Sequence, residues 1–274
     1  MKACISCGLC YTAVTVVAAM AVMLGDGRPV VLQAAQSPSQ PIAATGTPSA
    51  AASITSDGGR ADAPATTLGR FLAEYEQSLQ SLVSYRAIRR LSVVARGGKM
   101  TASLKARTSL DPVNGFQFEV LEESGSGMLR SRVLHGALEA ERDAKRREKG
   151  AHGALTAANY RFGAGELTPG GLLRVSIHPV RKDSLLVEGS ILLTNEAADL
   201  VRMEGLLVKR PSFWTRKVTI VRDYARIDGV RVPIAMGSTA EILFAGQSTF
   251  SMSYEYESIN DMPVGAASAA AFPR

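Results

Sequence analysis

The sequence predicts a mainly β chain of the α+β class, built on a long antiparallel meander with one apolar face. Three observations carry that prediction. Phe250, Met252, Tyr254 and Tyr256 alternate with Ser251, Ser253, Glu255 and Glu257, the period of two that places successive side chains on opposite faces of a strand. Asp228-Gly229 stands between β-rich runs, and a type I′ hairpin turn needs positive φ at both of its central positions. From Leu172 to Asn260 the candidate strands follow one another too closely for crossover helices, which argues against a βαβ fold.

Taken in order, residues 1–35 read as an export signal. Lys2 supplies the positive start, and Tyr11 to Leu24 an apolar run shorter than the about 20 residues that a spanning helix needs. Cleavage is expected near Ala34 or Ala35, and a retained membrane tether stays open as an alternative. Cys4-x-x-Cys7-x-x-Cys10 has the spacing of cluster ligands, but a fourth ligand is missing and the apolar run follows directly, so the signal is preferred. Residues 36–67 are Ala, Ser, Thr, Pro and Gly with scarcely a large apolar side chain, too little to offset the entropy of ordering them, and read as a linker. Thr66 or Thr67 then caps a helix entering at Leu68, with Phe71, Leu72, Tyr75, Leu79 and Leu82 on one stripe.

Val83 to Ala95 reads as a strand, Gly97-Gly98 as its turn, and Met100, Ala102, Leu104 and Ala106 as the inner face of the return strand. After a turn at Asp111-Pro112 and Asn114-Gly115, Phe116, Phe118 and Val120 face one way. Met128 to Lys149 is helical, with Leu129, Val133, Leu134 and Leu138 on one side. Its second half, Glu139 to Lys149, is almost wholly charged with opposite signs three and four apart, the pattern of a wet surface helix. A loop from Gly150 to Gly171 holds a short strand at Asn159 to Phe162.

In the meander, Leu185 to Thr194 and Leu200 to Val208 are strands joined at Asn195-Glu196-Ala197-Ala198, with a bulge expected at Gly205. Val218, Ile220 and Tyr224 share a face. After Asp228-Gly229 the return strand meets Pro233, where it should bend or lie near an edge. Ala240, Ile242 and Phe244 share a face before a turn at Ala245-Gly246-Gln247. The folded domain is thus expected over 68–260, with 261–274 a fraying tail.

At 274 residues and 46% hydrophobic content, the chain has material for a sizeable core. The net charge is +6, and residues 1–35 hold Lys2, Arg28 and Asp26, a net of +1, which leaves +5. That charge is dispersed, without a basic stripe interleaved with aromatics, so no nucleic-acid partner is expected. His135, His152 and His178 show no metal-ligand spacing. A Gly-x-Ser-x-Gly elbow, a phosphate-binding loop and a cysteine nucleophile beyond the signal are all absent, so the expectation is no enzyme, no cofactor and no metal. Trp214, in Pro211-Ser212-Phe213-Trp214-Thr215, is either the wall of an apolar cleft or core. One of Arg86, Arg89 and Arg90 pointing inward would hold a lid or an acidic head group, but the ordinary place for such residues is the outer face.

An export signal, an amphipathic helix, a few strands, a helical interruption and a long antiparallel run together resemble the periplasmic lipoprotein carriers and outer-membrane lipoprotein-sorting proteins. The residues that carry the resemblance are Ala198-Asp199-Leu200-Val201-Arg202-Met203-Glu204-Gly205 and Tyr224-Ala225-Arg226-Ile227-Asp228-Gly229-Val230-Arg231-Val232-Pro233. It implies an antiparallel unclosed β-barrel, a half-barrel whose concave apolar face holds acyl chains beneath helices. On that basis Phe116, Phe118, Trp214, Phe250, Met252, Tyr254 and Tyr256 are candidate groove residues, and Phe71 and Leu72 candidate lid contacts. The expected function is an exported, periplasmic lipid- or lipoprotein-binding protein of the cell envelope, a monomer whose partners are acyl chains or lipoproteins. A sensor or regulatory module of the same architecture, with an envelope protein partner, is the alternative.

Overall fold

The computed structural model describes residues 63–146, 153–213, 215–244 and 246–265. The expected signal, most of the linker, the three cysteines, His152, Trp214 and the last nine residues lie outside them. A helix α1 (Ala63–Ser81) precedes strands β1 (Tyr85–Ala95), β2 (Met100–Asp111) and β3 (Gly115–Gly125). A helical run follows, in which α2 (Gly127–Leu129) passes through a π-helical segment (Arg130–His135) into α3 (Gly136–Arg146). The meander comes next: β4 (Tyr160–Leu167), β5 (Leu172–Pro179), β6 (Val187–Thr194), β7 (Leu200–Leu207), β8 (Thr215–Ile227), β9 (Val230–Ile242), β10 (Gly246–Ile259) and the short β11 (Met262–Pro263).

Among the described residues these strands form one antiparallel sheet in the order β3-β2-β1-β10-β9-β8-β7-β6-β5-β4, with β11 on β10. β3 and β4 end the sheet without pairing to each other, so it is an unclosed half-barrel. Every ladder joins strands adjacent in sequence except β1–β10, where the N-terminal three strands join the meander. Burial alternates along β1 in strict period two: Tyr85, Ala87, Leu91, Val93 and Ala95 point inward with Arg89 among them. The helices lie across this inner face, α1 against β4 and β9, and the second helical run against β1, β2 and β3.

The turns follow the local chemistry. Asp228 and Gly229 have φ of 48° and 79°, the pair of positive values that type I′ geometry requires. Asp111 accepts hydrogen bonds at Oδ1 from the N–H groups of Val113 (2.9 Å) and Asn114 (2.7 Å), which holds its carboxyl below the usual range. Pro233 lies in an interior strand, at a bulge where Asp223 pairs with Ala235 and Tyr224 with Pro233. β9 pairs with β10 only over Ala235–Ile242, so Val230–Ile234 diverges from that neighbour and the missing proline N–H interrupts no ladder there.

Several expectations need correcting. α1 begins at Ala63, inside the expected linker, and the Thr67 hydroxyl donates to the Asn195 carbonyl (3.2 Å) instead of capping the helix. The bulge in β7 falls at Val201, where Arg202 faces Leu192 and Leu200 faces Leu193. Gly205 instead pairs with Gly189 across β6–β7, and a Cβ on either would come within 2.0–2.3 Å of a backbone carbonyl oxygen. Phe244 is 95% exposed at φ 64°, in the turn and not on the inner face with Ala240 and Ile242. The strand expected at Asn159–Phe162 extends to Leu167, and the tail expected from 261 opens with β11. The charged helix is wet on one side only, because Glu141 is fully buried.

Gly205→Ala should lower the free energy of unfolding by about 1–3 kcal/mol or more, because a methyl group there must push two strands apart. The check is a lower urea midpoint with an unchanged slope.

Candidate functional site

The inner face divides into two neighbourhoods, each with an arginine from the sheet that reaches a helix. The first centres on Arg89. Its position in β1 is in phase with Tyr85, Ala87, Leu91 and Val93, so strand alternation turns a guanidinium inward, and both it and Glu141 of α3 have 0% side-chain exposure. Nη1 donates to Glu141 Oε2 (2.6 Å) and Nη2 to Glu141 Oε1 (3.1 Å) and to the Tyr85 hydroxyl (2.5 Å). The same cation lies over the rings of Tyr254 (4.7 Å), Phe116 (5.0 Å) and Tyr85 (5.8 Å). Burial opposes its charge, yet the Glu141 carboxylate beside it outweighs that and holds the guanidinium well above its ordinary pKa. Burial pushes the hydroxyls of Tyr85, Tyr254 and Tyr256 well up, so all three stay neutral.

Glu141 gets there because Leu134, Ala137, Leu138, Glu141 and Ala144 form one helical stripe, all of it buried. The π-helical segment widens the helix where Val133 and Leu134, adjacent in sequence, are both fully buried. Glu123 on β3 pins the helix start through His135 Nε2 (2.8 Å) and an ion pair with Arg130.

Of the sequence-derived groove residues, Phe116, Phe118, Tyr254 and Tyr256 gather round this pair. Tyr254 and Tyr256 stack at 6.1 Å, Tyr85 meets Tyr256 edge-on at 5.8 Å, Phe116 and Phe118 lie 6.3 Å apart, and Arg142 covers Phe118 at 5.4 Å. Phe250 and Met252 continue the same face along β10, both buried. Phe71 and Leu72 are on α1, Phe71 within the same buried core and Leu72 packed against it. Of the polar centre of the face, Arg89 is one of the three strand arginines for which the sequence leaves an inward, lid-holding role open beside the outer face, whereas Glu141 is read as part of a wet surface helix. Their phase with the surrounding apolar residues was the available signal.

The second neighbourhood lies under α1, at the end of the sheet where β9 diverges from β10. Arg231 of β9 is 7% exposed. Its Nη2 donates to Asp199 Oδ1 (3.0 Å) and its Nη1 to the Ser78 hydroxyl (3.0 Å), with the cation over Phe71 (5.5 Å) and Tyr75 (5.9 Å). Arg226 also reaches Asp199, Nε to Oδ1 (2.9 Å) and Oδ2 (2.8 Å), with a further contact from Nη2. Partial burial works against the Asp199 carboxylate, but hydrogen bonds from both arginines prevail and hold its pKa below the ordinary value.

The outer face carries a groove of about 760 Å³ that crosses β3, β2, β1, β10, β9 and β8. It is lined by small outward side chains such as Ser92, Ser103, Ser251 and Ser253. Its charges are paired, Arg90 with Glu255 (2.8 Å), Lys105 with Glu122 (2.8 Å) and Asp223 with Arg202 (2.6 Å). Among the described residues no cluster of His, Cys, Asp or Glu is placed to hold a metal, and no helix is long and apolar enough to cross a membrane.

No family model and no curated protein matches the chain. Solved structures show likenesses. A DUF1329 family protein from Desulfovibrio piger is 12% identical, with a TM-score of 0.36 over 70% of this chain and 91% of that one. A putative outer membrane lipoprotein-sorting protein domain from Vibrio parahaemolyticus is 9% identical, with a TM-score of 0.34 over 77% and 97%. Lipovitellin, in a structure concerned with its lipid–protein interactions, is 9% identical, with a TM-score of 0.27 over 67% of this chain and 26% of its own. At these scores the likenesses carry no argument about function.

Two predictions follow from the two arginines. Glu141→Ala strands a buried cation and should cost about 3–5 kcal/mol, whereas Arg89→Met with Glu141→Leu should recover most of that loss. Chemical denaturation of the single and double variants decides it. Asp199 has a folded pKa below its unfolded value of about 3.9, so its contribution is complete above that pH and fades as pH falls through the folded value. Asp199→Asn should therefore be less stable than the parent at neutral pH, with the gap narrowing towards pH 2 when denaturation midpoints are compared across pH.

Proposed function

We propose that the protein is an exported, periplasmic binding protein that buries acyl chains of a lipid or lipoprotein against the inner face of the half-barrel, without turnover of its ligand. The observation that carries the reading is how that face is covered. An apolar surface with Phe116, Phe118, Phe250, Met252, Tyr254 and Tyr256 is closed by helices, and the helix over its aromatic end is fastened by one buried ion pair. Helices on an open sheet can be lifted without breaking a strand ladder.

The energies are compatible with exchange. Breaking the pair costs about 3–5 kcal/mol. Each methylene moved out of water returns about 0.8 kcal/mol, so on the order of six buried methylenes offset that cost. A diacyl ligand has many more to offer. Phe118, Val120 and Leu72 are already half-buried and are natural first contacts for a chain entering beneath the helices.

The test is to express the full chain in a periplasm, purify it without detergent, and extract it under denaturing conditions for mass spectrometry. Stoichiometric phospholipid or acylated peptide is expected. Phe118→Ser should lower the bound amount several-fold in a protein that still folds, and Glu141→Gln, which loosens the cover, should raise exchange with added lipid. A stable, lipid-free protein that takes up no added lipid overturns the reading and directs the search to a protein partner.

A further inference from the structure

Asp199 is a single carboxylate shared by two guanidiniums, and this arrangement sits at the rim where α1 closes on the diverging part of β9. Arg231 is more than nine-tenths buried, and its Nε is buried without a hydrogen-bond partner. Arg226 is the more exposed of the two and also donates from Nη1 to the Gly229 carbonyl (3.1 Å). A guanidinium is a planar fork of donors matched to carboxylate and phosphate oxygens, and burying one is costly unless its charge and hydrogen bonds are met. Here one acid meets two forks, and a donor aimed into the buried rim is left over.

We propose that Arg226 and Arg231 form an anion site for a phosphate group, with Asp199 as the resident oxyanion that holds the forks together until a ligand phosphate displaces it. This rests on the acyl-binding reading, since the phosphate is placed as the head group of the amphiphile whose chains enter the interior. The position suits that role: the Arg231 cation lies 5.5 Å from the ring of Phe71, which is fully buried in the apolar core. A head group held there has the greasy interior directly beside it. A tetrahedral phosphate offers three acceptor oxygens, enough to meet both forks and the spare Nε, where one carboxylate cannot. Exchange substitutes one charge-assisted set of hydrogen bonds for another. It also releases Asp199, which lies before β7, while α1 keeps its contacts to this arginine through Ser78, Phe71 and Tyr75. Arg70 of α1 donates to the Asn195 carbonyl at 3.2 Å, and Glu74 of α1 supports the charge on Arg226, so the surrounding charges come from that helix.

The full chain is titrated calorimetrically with dihexanoyl phosphatidate, with dihexanoylglycerol and with inorganic phosphate. The phosphatidate should bind at least about tenfold more tightly than the glyceride, the difference expected for charge-assisted hydrogen bonds. Asp199→Asn should bind it more tightly still and show a larger rise in Tm with inorganic phosphate than the parent. Arg231→Gln should erase the preference while the glyceride binds as before. If Arg231→Gln does not fold, Arg226→Gln at the exposed side carries the same expectation. Equal affinity for the two lipids, weaker phosphatidate binding by Asp199→Asn, or a preference that survives in the arginine variants overturns the site while the acyl reading stands. Binding of inorganic phosphate alone, lost in the arginine variants, keeps the anion site as one for free phosphate and removes the acyl reading. No binding of any of the three overturns both.

Discussion

The Arg89–Glu141 ion pair is the constraint on which the inner face depends. It joins β1, the strand where the N-terminal three strands meet the meander, to the helix that crosses the inner face between β3 and β4. Neither residue is exposed, so both charges have given up water, and a pair of this kind returns little net stability compared with apolar residues of the same size. What it supplies is position. Glu141 can meet Arg89 only if Val133, Leu134, Ala137 and Leu138 are seated over the sheet, and Tyr85, Tyr254 and Phe116 around the guanidinium leave it no other carboxylate among the described contacts. A cover fastened by apolar packing alone would slide.

The two helices are held differently, and the difference bears on which moves first. The latch on α3 is dry, surrounded by aromatic rings, and little affected by salt. α1 is held at the rim by hydrogen bonds, Ser78 with Arg231 and Thr67 and Arg70 with the Asn195 carbonyl, beside the partly exposed Asp199–Arg226 pair, whose attraction is screened. α1 also packs against β4, an end strand of the sheet that has a partner on one side only. Opening therefore begins more cheaply at α1 than at α3, and the buried pair yields only to something that replaces the whole apolar contact.

The sheet was legible because its signals are local. Period-two alternation, Gly97-Gly98, Asn114-Gly115 and Asp228-Gly229 each settle a hairpin within a few residues, and every one of those turns is where the sequence places it. The polar centre was legible only as one open option, an inward arginine among Arg86, Arg89 and Arg90, because residue type and phase disagree there. Arg89, Arg222 and Glu141 occupy inward phases among apolar neighbours, and average preference sends such residues outward unless a partner far along the chain is known. Arg89 and Glu141 are 52 residues apart, and Arg231 and Ser78 are 153 apart, so nothing within a sequence window connects them. Gly205 shows the same limit: the sequence marks an irregularity, but only the facing Gly189 explains it as close approach of two backbones.

The open sheet is not hydrogen-bonded equally over its whole width. Over most of its width neighbouring strands are fully laddered, and the outer groove is knitted by hydroxyl pairs, Ser92 with Ser251 (2.7 Å) and Ser103 with Ser124 (2.8 Å), that hold adjacent strands in register. At Pro233 the ladder stops. β9 and β10 separate there, and the Tyr256 hydroxyl donates across the gap to the Pro233 carbonyl at 2.9 Å. Two bulges, at Val201 and beside Pro233, bend the strands around the same end of the meander. The diverging strands and the shared carboxylate thus lie together near α1, while further bulges at Arg86/Ala87 and Lys105/Ala106 bend the strands beside Arg89. On the proposed acyl-binding reading, a chain entering beneath α1 meets the wall where β9 and β10 are not hydrogen-bonded to each other.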